Sequence, residues 1–593
     1  MHGGVHFVIQ RYMDNKEIAK IFYEMAALME MQDIAFKPRA YERAAQAIEN
    51  LDEEISARYV REGRESLESI EGVGKGIADH LEELLRTGSF REYVRMKKKI
   101  PVDVGALMAI EGVGPKMIRL LWERLKIRSV ADLERAAGEG KIRALPRFGM
   151  KSEQKILKGI AFLKEAGGRR LLGLILPEIR ALGHKIQVFP EVEKVVIAGS
   201  VRRMKETIGD IDILAVSKKP DAVMERFVTL PEVMHIYARG KTKTLVRLKN
   251  GLDADLRVVK KRSWGAALNY FTGSKAHNVA LREIALKMGM KLNEYGLFRA
   301  NRFVAGRTEE ELYKALKLEY IAPELREDQG EIDAARHHIL PHLIGYKDLQ
   351  GDLQVQTDWT DGTASIEEMA RGAKKKGLNY IAITDHTRSL AMTKGADEEK
   401  LRRQMVAIDK LNRELFPEAD FTILKSAEVN IQKDGRLDIA DTTLAKLDLV
   451  GAAVHSHFGL ARLEQTARVI RAMENPHVDI IFHLTGRLIH KRAPIDLDID
   501  AVITAAKRTG TVLEINAYPE RLDLKDVFVR KCVDAGVLMS IDSDAHAISH
   551  FDYLPLGIAQ ARRGWATRDH IVNAWPLKKM QGFLKREQRR GKI

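Results

Sequence analysis

The chain has 593 residues, too many for a single hydrophobic core, and its length implies roughly three to five domains. Apolar residues make up 45% and charged residues 31%, which describes a folded soluble chain and excludes a disordered one. No apolar run approaches the ~18 residues of a membrane span and no signal peptide is visible, so a cytoplasmic protein without a membrane partner is expected. A net charge of +15 and a pI near 9.4 favour a polyanionic partner. The one cysteine, Cys532, excludes an intrachain disulfide framework.

Residues 1–12, MHGGVHFVIQRY, show no periodicity and read as a disordered extension. From Lys16 to about Lys164 the apolar spacing predicts helices throughout, with a repeated unit at 67–85, 107–125 and 144–160. Each unit is an apolar helix, a Gly-x-Gly turn (a relic at Phe148-Gly149 in the third) and a second helix. Glycines allow positive φ and bring backbone N–H groups close to a phosphate, which the next helix N-terminus also favours. Gly72, Gly74 and Lys75, then Gly112, Gly114 and Lys116, are therefore candidate DNA-backbone contacts. The units resemble helix-hairpin-helix motifs, which grip DNA without reading sequence. The segment FKPRAYERAAQAIE with GVGKGIADHLEELLRTG resembles the amino-terminal lyase domain of DNA polymerase beta. That resemblance implies 5′-phosphate contacts for Lys37 and Tyr41, and it places His80 where the family has its Schiff-base lysine. Imidazole forms no stable imine, which speaks against 5′-deoxyribose-phosphate lyase activity.

Gly167-Gly168 marks a boundary. Beyond it, VVIAGSVRRMKETIGDIDILAV (195–216) predicts a strand, a Gly-Ser turn, a basic helical segment and a second strand. Strand alternation puts Asp210 and Asp212 on one face and Ile211 and Ile213 on the other. Two neighbouring carboxylates repel unless a cation lies between them, which suggests a divalent-metal site for phosphoryl or nucleotidyl transfer. Two more strands follow at 241–250 and 252–259, and Asp255 in the second can add a third carboxylate.

With GAALNYFTGSKAHNVALREIALKMGMKLNEYGLF (265–298), this region resembles family X DNA polymerases. The resemblance implies that Asp210, Asp212 and Asp255 form a catalytic metal triad for Mg2+ or Mn2+. It implies that Gly199, Ser200 and Arg203 grip the incoming triphosphate. Tyr270, Phe271 and Gly273 match the sugar-contacting motif, and Asn278 and Arg282 match contacts at the nascent base pair. Ile208 departs from the family, in which a polar residue often contacts phosphate at that position.

Residues 327–347 read as a polar linker whose His337, His338 and His342 are incidental. From Gly351 to about Pro576 strand and helix patterns alternate, which predicts a closed or nearly closed parallel barrel. Strand ends carry Asp, Glu or His, and a barrel would bring them to one rim as a metal cluster. This region resembles the PHP (polymerase and histidinol phosphatase) domain, a trinuclear metallophosphoesterase. The resemblance implies that Glu428, His455, His483 and Asp544 hold one or two ions, and that Asp361, His386 and His546 hold another. Zn2+ or Mn2+ is the expected metal. The family's opening His-x-His reads Gln354-Val355-Gln356 here, and an amide is a weaker ligand than imidazole, so a depleted site is expected. Two readings follow: a slowed 3′–5′ exonuclease or 3′-phosphatase on the remaining metals, or a structural platform that guides DNA.

The expected architecture is multidomain. An all-α lyase-type region spans 13–95 and a helix-hairpin-helix region 96–166. An α+β nucleotidyltransferase palm spans 167–262, a thumb 263–326, and a distorted α/β (TIM-like) PHP barrel 348–576; a basic tail covers 577–593. The expected function is gap filling in base-excision-type repair by two-metal nucleotidyl transfer, with gapped or nicked DNA and dNTPs as partners and a monomer as the working form. Two alternatives remain: a PHP 3′-end-processing phosphoesterase whose polymerase half binds DNA, and a non-catalytic DNA-end-binding scaffold.

Overall fold

The computed structural model describes residues 13–585 apart from 14, 35–36, 50, 52, 71, 109, 111–112, 147, 166, 391–392 and 419. The extension read over 1–12, the glycine Gly112 and the end of the basic tail, 586–593, lie outside the described residues.

Ten helices between Asn15 and Glu165 share one apolar cluster that runs from Met13 to Ile160. The hairpin glycines sit where the repeats predict. Gly72 has φ +79°, and Gly74 and Gly114 are the N-caps of helices Lys75–Thr87 and Pro115–Leu125. Both caps are extended, so each helix begins with free N–H groups at the surface.

The palm is a five-stranded sheet of β1 (Lys194–Ile197), β2 (Asp210–Val216), β3 (Val233–Arg239), β4 (Lys243–Leu248) and β5 (Asp253–Val259). Its order is β1-β2-β5-β4-β3, and β2 and β5 run parallel. Ile211 and Ile213 are buried beneath the sheet in a core shared with helix Leu172–Gln187. A separate thumb core gathers around Leu281, Leu312 and Tyr313. The histidine-rich stretch contributes helix Glu331–His337 to that core through Ile332 and Ala335.

The C-terminal region carries β6 (Gly351–Val355), β7 (Tyr380–Ile383), β8 (Thr422–Lys425), β9 (Glu428–Asn430), β10 (Gly451–Ala453), β11 (Ile480–Ile481), β12 (Val512–Asn516) and β13 (Met539–Asp542). They form two parallel sheets, β6-β7-β8 and β9-β10-β11-β12-β13, rather than the closed ladder that the strand–helix rhythm suggested. Among the described residues the two sheets meet through single parallel bridges, His386 to Glu428 and Val355 to Ala545. Side chains explain the gap between β6 and β13. Asp542 Oδ1 accepts the Leu353 N–H at 2.8 Å and Asp352 Oδ1 accepts the Ser543 N–H at 3.2 Å, intercepting donors that a continuous ladder would use. Burial pushes the Asp542 carboxyl up to about 7 and that of Asp352 well above its ordinary value.

Residues 577–585 do not stand free as a tail. Helix Leu577–Phe583 buries Met580 against the apolar end of the barrel with Trp575, Phe482 and Val512. The barrel also packs on the palm, whose core takes in Ile489, Leu522 and Leu556. Arg487 reaches Glu206 at 2.6 Å and Arg563 reaches Glu327 at 3.1 Å across the same boundary. No helix among the described residues is long and apolar enough to cross a membrane.

Candidate functional site

The parallel register of β2 and β5 sets Asp212 directly beside Asp255 and Asp210 beside Asp253. Asp210, Asp212 and Asp255 thus share one face of the sheet, and Asp253 is paired with Arg247 at 2.9 Å. Asp210 is exposed, and Asp212 and Asp255 are half-buried. Burial, then Asp210, then Asp255 push the Asp212 carboxyl up to about 6, against the opposing pull of Arg257 and Arg203. Asp255 Oδ2 faces Arg257 at 3.2 Å and Lys243 at 3.6 Å, while its Oδ1 is buried without a hydrogen-bond partner. Three crowded carboxylates, one with an orphaned oxygen and one with a raised pKa, are the donor set that a divalent cation satisfies.

The Gly-Ser turn lies against this cluster. Gly199 has φ +59°, and a Cβ there would overlap Asp212 Oδ2, so only glycine lets the turn approach. Ala198 N–H donates to the Asp212 carbonyl at 2.8 Å and ties the turn to β2. Ser200 follows in the short helix Gly199–Arg202. Arg203 donates through Nη1 to the Thr272 carbonyl and through Nε to Glu327 Oε1 at 3.0 Å. Tyr270 is exposed and stacks edge-on against Phe271, whose ring lies 4.5 Å from the Arg257 guanidinium. Gly273 caps helix Trp264–Thr272 next to Arg203, and Asn278 donates to the Tyr270 carbonyl at 2.7 Å. Arg282 is exposed on the following helix, Lys275–Lys287.

Arg257, Lys243 and Glu327 were not singled out from sequence. Arg257 stands two residues after Asp255, so strand alternation could have found it. Lys243 joins only through the β4–β5 register and Glu327 only through tertiary packing.

In the helical region Lys37, Lys75 and Lys116 are exposed and Tyr41 is buried. The Tyr41 hydroxyl lies 2.5 Å from His80 Nδ1, and His80 Nε2 is 3.4 Å from Glu92 while its ring stacks on Phe90 at 4.7 Å. The imidazole is thus held on both nitrogens and along one face.

The strand ends of the C-terminal sheets converge. Among the described residues two groups could hold a cation, Asp361–His386–His546 and His386–Glu428–His455, each with its donor atoms within 4.8 Å of one another. Glu428 is fully buried; its Oε1 takes His455 at 3.0 Å and His483 at 2.8 Å. Burial opposes its charge, but His386, His455 and His483 outweigh that and hold the carboxyl well below its usual range. Burial lowers His455 to about 4, and Asp361 and Asp544 hold His546 up to about 10 in spite of burial. Asp544 pairs with Arg521 at 3.3 Å and with His546 at 3.8 Å. His483 Nδ1 and Asp361 Oδ1 are buried without hydrogen-bond partners, and His386 Nδ1 and His455 Nε2 face only the Glu428 carboxylate, a donor set that suits metal ions. The mouth is a cavity of about 290 Å³ lined by Asp361, Arg521 and His546, with Tyr23, Gln46 and Glu49 of the N-terminal helices facing them.

Comparison with known proteins agrees with this layout. Residues 267–327 match the family described as DNA polymerase beta thumb, 13–90 a helix-hairpin-helix domain, and 104–161 a SAM-like helix-hairpin-helix tandem. A relative from Bacillus subtilis, named DNA polymerase/3′-5′ exonuclease PolX, is 35% identical over 97% of this chain and 100% of its own length. A Thermoanaerobacter protein named "Probable phosphatase" is 30% identical over 38% of the chain and 90% of its own length. A similarly named one from Caldanaerobacter subterraneus is 33% identical over 31% of the chain and 70% of its own length.

Proposed function

The chain belongs to the family X DNA polymerases that carry a PHP domain, and on that premise we propose that it fills short gaps in DNA by nucleotidyl transfer at Asp210, Asp212 and Asp255. The observation that carries this reading is the β2–β5 register, which sets the three carboxylates on one face with the glycine turn closed against Asp212. The protein depends on divalent metal and binds DNA and dNTPs; which ion it uses and which DNA gap it prefers belong to the proposal.

Bound Mg2+ or Mn2+ would lower the pKa of the primer 3′-hydroxyl and neutralise charge on the triphosphate. Asp210 and Asp212 would hold the ions, and Asp255, which lies beside Arg257 and Lys243, would hold one and orient the hydroxyl. Ser200 and the backbone at Gly199 would face the leaving phosphates. Arg203 reaches the same phosphates once it trades its bonds to the Thr272 carbonyl and Glu327 for phosphate oxygens. Tyr270, Phe271 and Gly273 would bound the sugar, which leaves Asn278 and Arg282 for the base pair. The hairpins at Gly72–Lys75 and Gly114–Lys116 would hold the DNA backbone and fix the register of the primer end.

In the PHP half, Asp361, His386, Glu428, His455, His483, Asp544 and His546 would serve a 3′–5′ exonuclease, the activity named for the Bacillus relative. The cluster of orphaned donors supports retained metal binding over a purely structural platform.

A gapped substrate with a labelled primer, incubated with and without dNTPs in Mg2+ or Mn2+, tests both halves. Extension with dNTPs and shortening without them are expected. Asp210→Ala should abolish extension and leave DNA binding nearly unchanged; unchanged extension refutes the metal role of the triad.

A further inference from the structure

We propose that the PHP cluster of this chain holds two cations rather than three, because Gln354 is locked as an N–H donor to Glu428 by Asn516. The proposal rests on the reading of the barrel as a metal site and specifies how many ions it takes.

The Tyr518 backbone N–H, which can only donate, points at Asn516 Oδ1 at 3.0 Å. The other end of that amide, Nδ2, therefore faces the cluster. There it finds three acceptors: Gln354 Oε1 at 3.0 Å, Asp544 Oδ2 at 3.2 Å and Glu514 Oε2 at 3.3 Å. Because Gln354 spends its oxygen on Asn516, it must present Nε2 to Glu428 Oε2, 3.2 Å away. A backbone N–H at one end and a carboxylate at the other thus set the direction of both amides. Turning Gln354 over to offer an oxygen to a cation would place N–H against N–H at Asn516 and oxygen against oxygen at Glu428, two buried mismatches.

Gln356 makes the same kind of contact. Its Nε2 lies 2.9 Å from Glu428 Oε2, so that oxygen is capped by two neutral donors. Gln354 and Gln356 are fully buried, so no water competes for these bonds. A cation bound at this side of Glu428 would meet N–H hydrogens where the family's resemblance implies imidazole lone pairs. The remaining donors make two positions that share His386: one with Asp361, 3.6 Å from His386 Nε2, and one with His455 and the uncapped oxygen of Glu428, Oε1, which His455 Nε2 reaches at 3.0 Å. Asn516 and Gln354 are positioning residues: Gln354 touches the ligand Glu428 and Asn516 holds Gln354 in that orientation.

The test counts ions in the full-length protein with the palm silenced by Asp210→Ala, Asp212→Ala and Asp255→Ala. After chelation, equilibrium dialysis against Mn2+ and elemental analysis should give two ions per chain. Gln354→Leu should keep two ions with affinity reduced about 10-fold, because a supporting contact to a ligand is lost but no ligand is. Gln354→His combined with Gln356→His should raise the count to three. Circular dichroism melting establishes that each variant is folded. Three ions in the starting protein, or a fall to one in folded Gln354→Leu, overturns the proposal and leaves the metal reading intact. No bound ions at all overturns both.

Discussion

Replacing Asp212 by asparagine should stabilise the metal-free protein while destroying polymerisation. The Asp212 carboxyl is held at about 6 against an ordinary 3.8, by burial first and then by Asp210 and Asp255. The native state therefore keeps a proton that the unfolded chain has already released once the pH exceeds its ordinary pKa. Stability falls as pH rises from about 4 to about 6 and is level above that, with a full penalty of about 3 kcal/mol. Asparagine has the same shape without the charge, and the Asp212 carboxylate makes no hydrogen bond among the described residues that would be lost. With chelator present, the melting transition that reports the palm should rise by roughly 6–12 °C at pH 8. At pH 4.5 the gain should shrink to about a third of that, and it should nearly vanish near pH 3, where Asp212 is protonated in the folded and the unfolded chain alike. Primer extension by Asp212→Asn should fall by at least ~100-fold, equivalent to ~2.7 kcal/mol of transition-state stabilisation. Adding Mg2+ should raise the melting temperature of the parent protein and not that of the variant. A variant less stable than the parent at pH 8, or a gain independent of pH, refutes the claim that the site is a strained cluster of like charges.

Gly199→Ala should fold and bind DNA yet lose extension by ~100-fold or more, since its Cβ overlaps Asp212 Oδ2 at a positive φ; primer extension and an electrophoretic shift on gapped DNA separate the two effects. Borohydride should trap no covalent adduct between the parent protein and a 5′-deoxyribose-phosphate end, and His80→Lys should begin to trap one on denaturing gels; a trapped parent band refutes this. Arg326→Met should destabilise the thumb by about 1–3 kcal/mol in urea titrations, because Glu309 loses the guanidinium 2.6 Å away and keeps only Arg202 at 2.7 Å.

Where function rests on short-range pattern, the sequence was legible. Asp210 and Asp212 share a face because strand side chains alternate, and that face could be assigned from DIDIL alone. The Gly-x-Gly turns at Gly72 and Gly114 could be placed because their flanking helices repeat. Asp255 was reachable through the same alternation in LDADL, although only the β2–β5 register shows that its partner across the ladder is Asp212 rather than Asp210. The seam of the barrel was not readable. Its gap between β6 and β13 comes from Asp352 and Asp542 turning their carboxylates onto backbone N–H groups 190 residues away in sequence, and no pattern in either strand announces that choice.

The same distinction explains what the two glutamines conceal. As letters, Gln354 and Gln356 record only that imidazoles are absent, and an amide offers an oxygen or an N–H with equal ease. Which end faces Glu428 depends on Asn516, and the direction of Asn516 depends on a backbone N–H at Tyr518. Two residues more than 160 positions along the chain, Asn516 and Tyr518, thus decide the chemistry of Gln354. Arg203 is a parallel case in the palm. Its motif suggests a phosphate ligand, but in the fold its guanidinium is already held by Glu327, which also takes Arg563 from the PHP half. A nucleotide must therefore compete for Arg203 with an ion pair that reaches into the other catalytic region, so the energetics of the polymerase site include a contribution that no residue within the palm reveals.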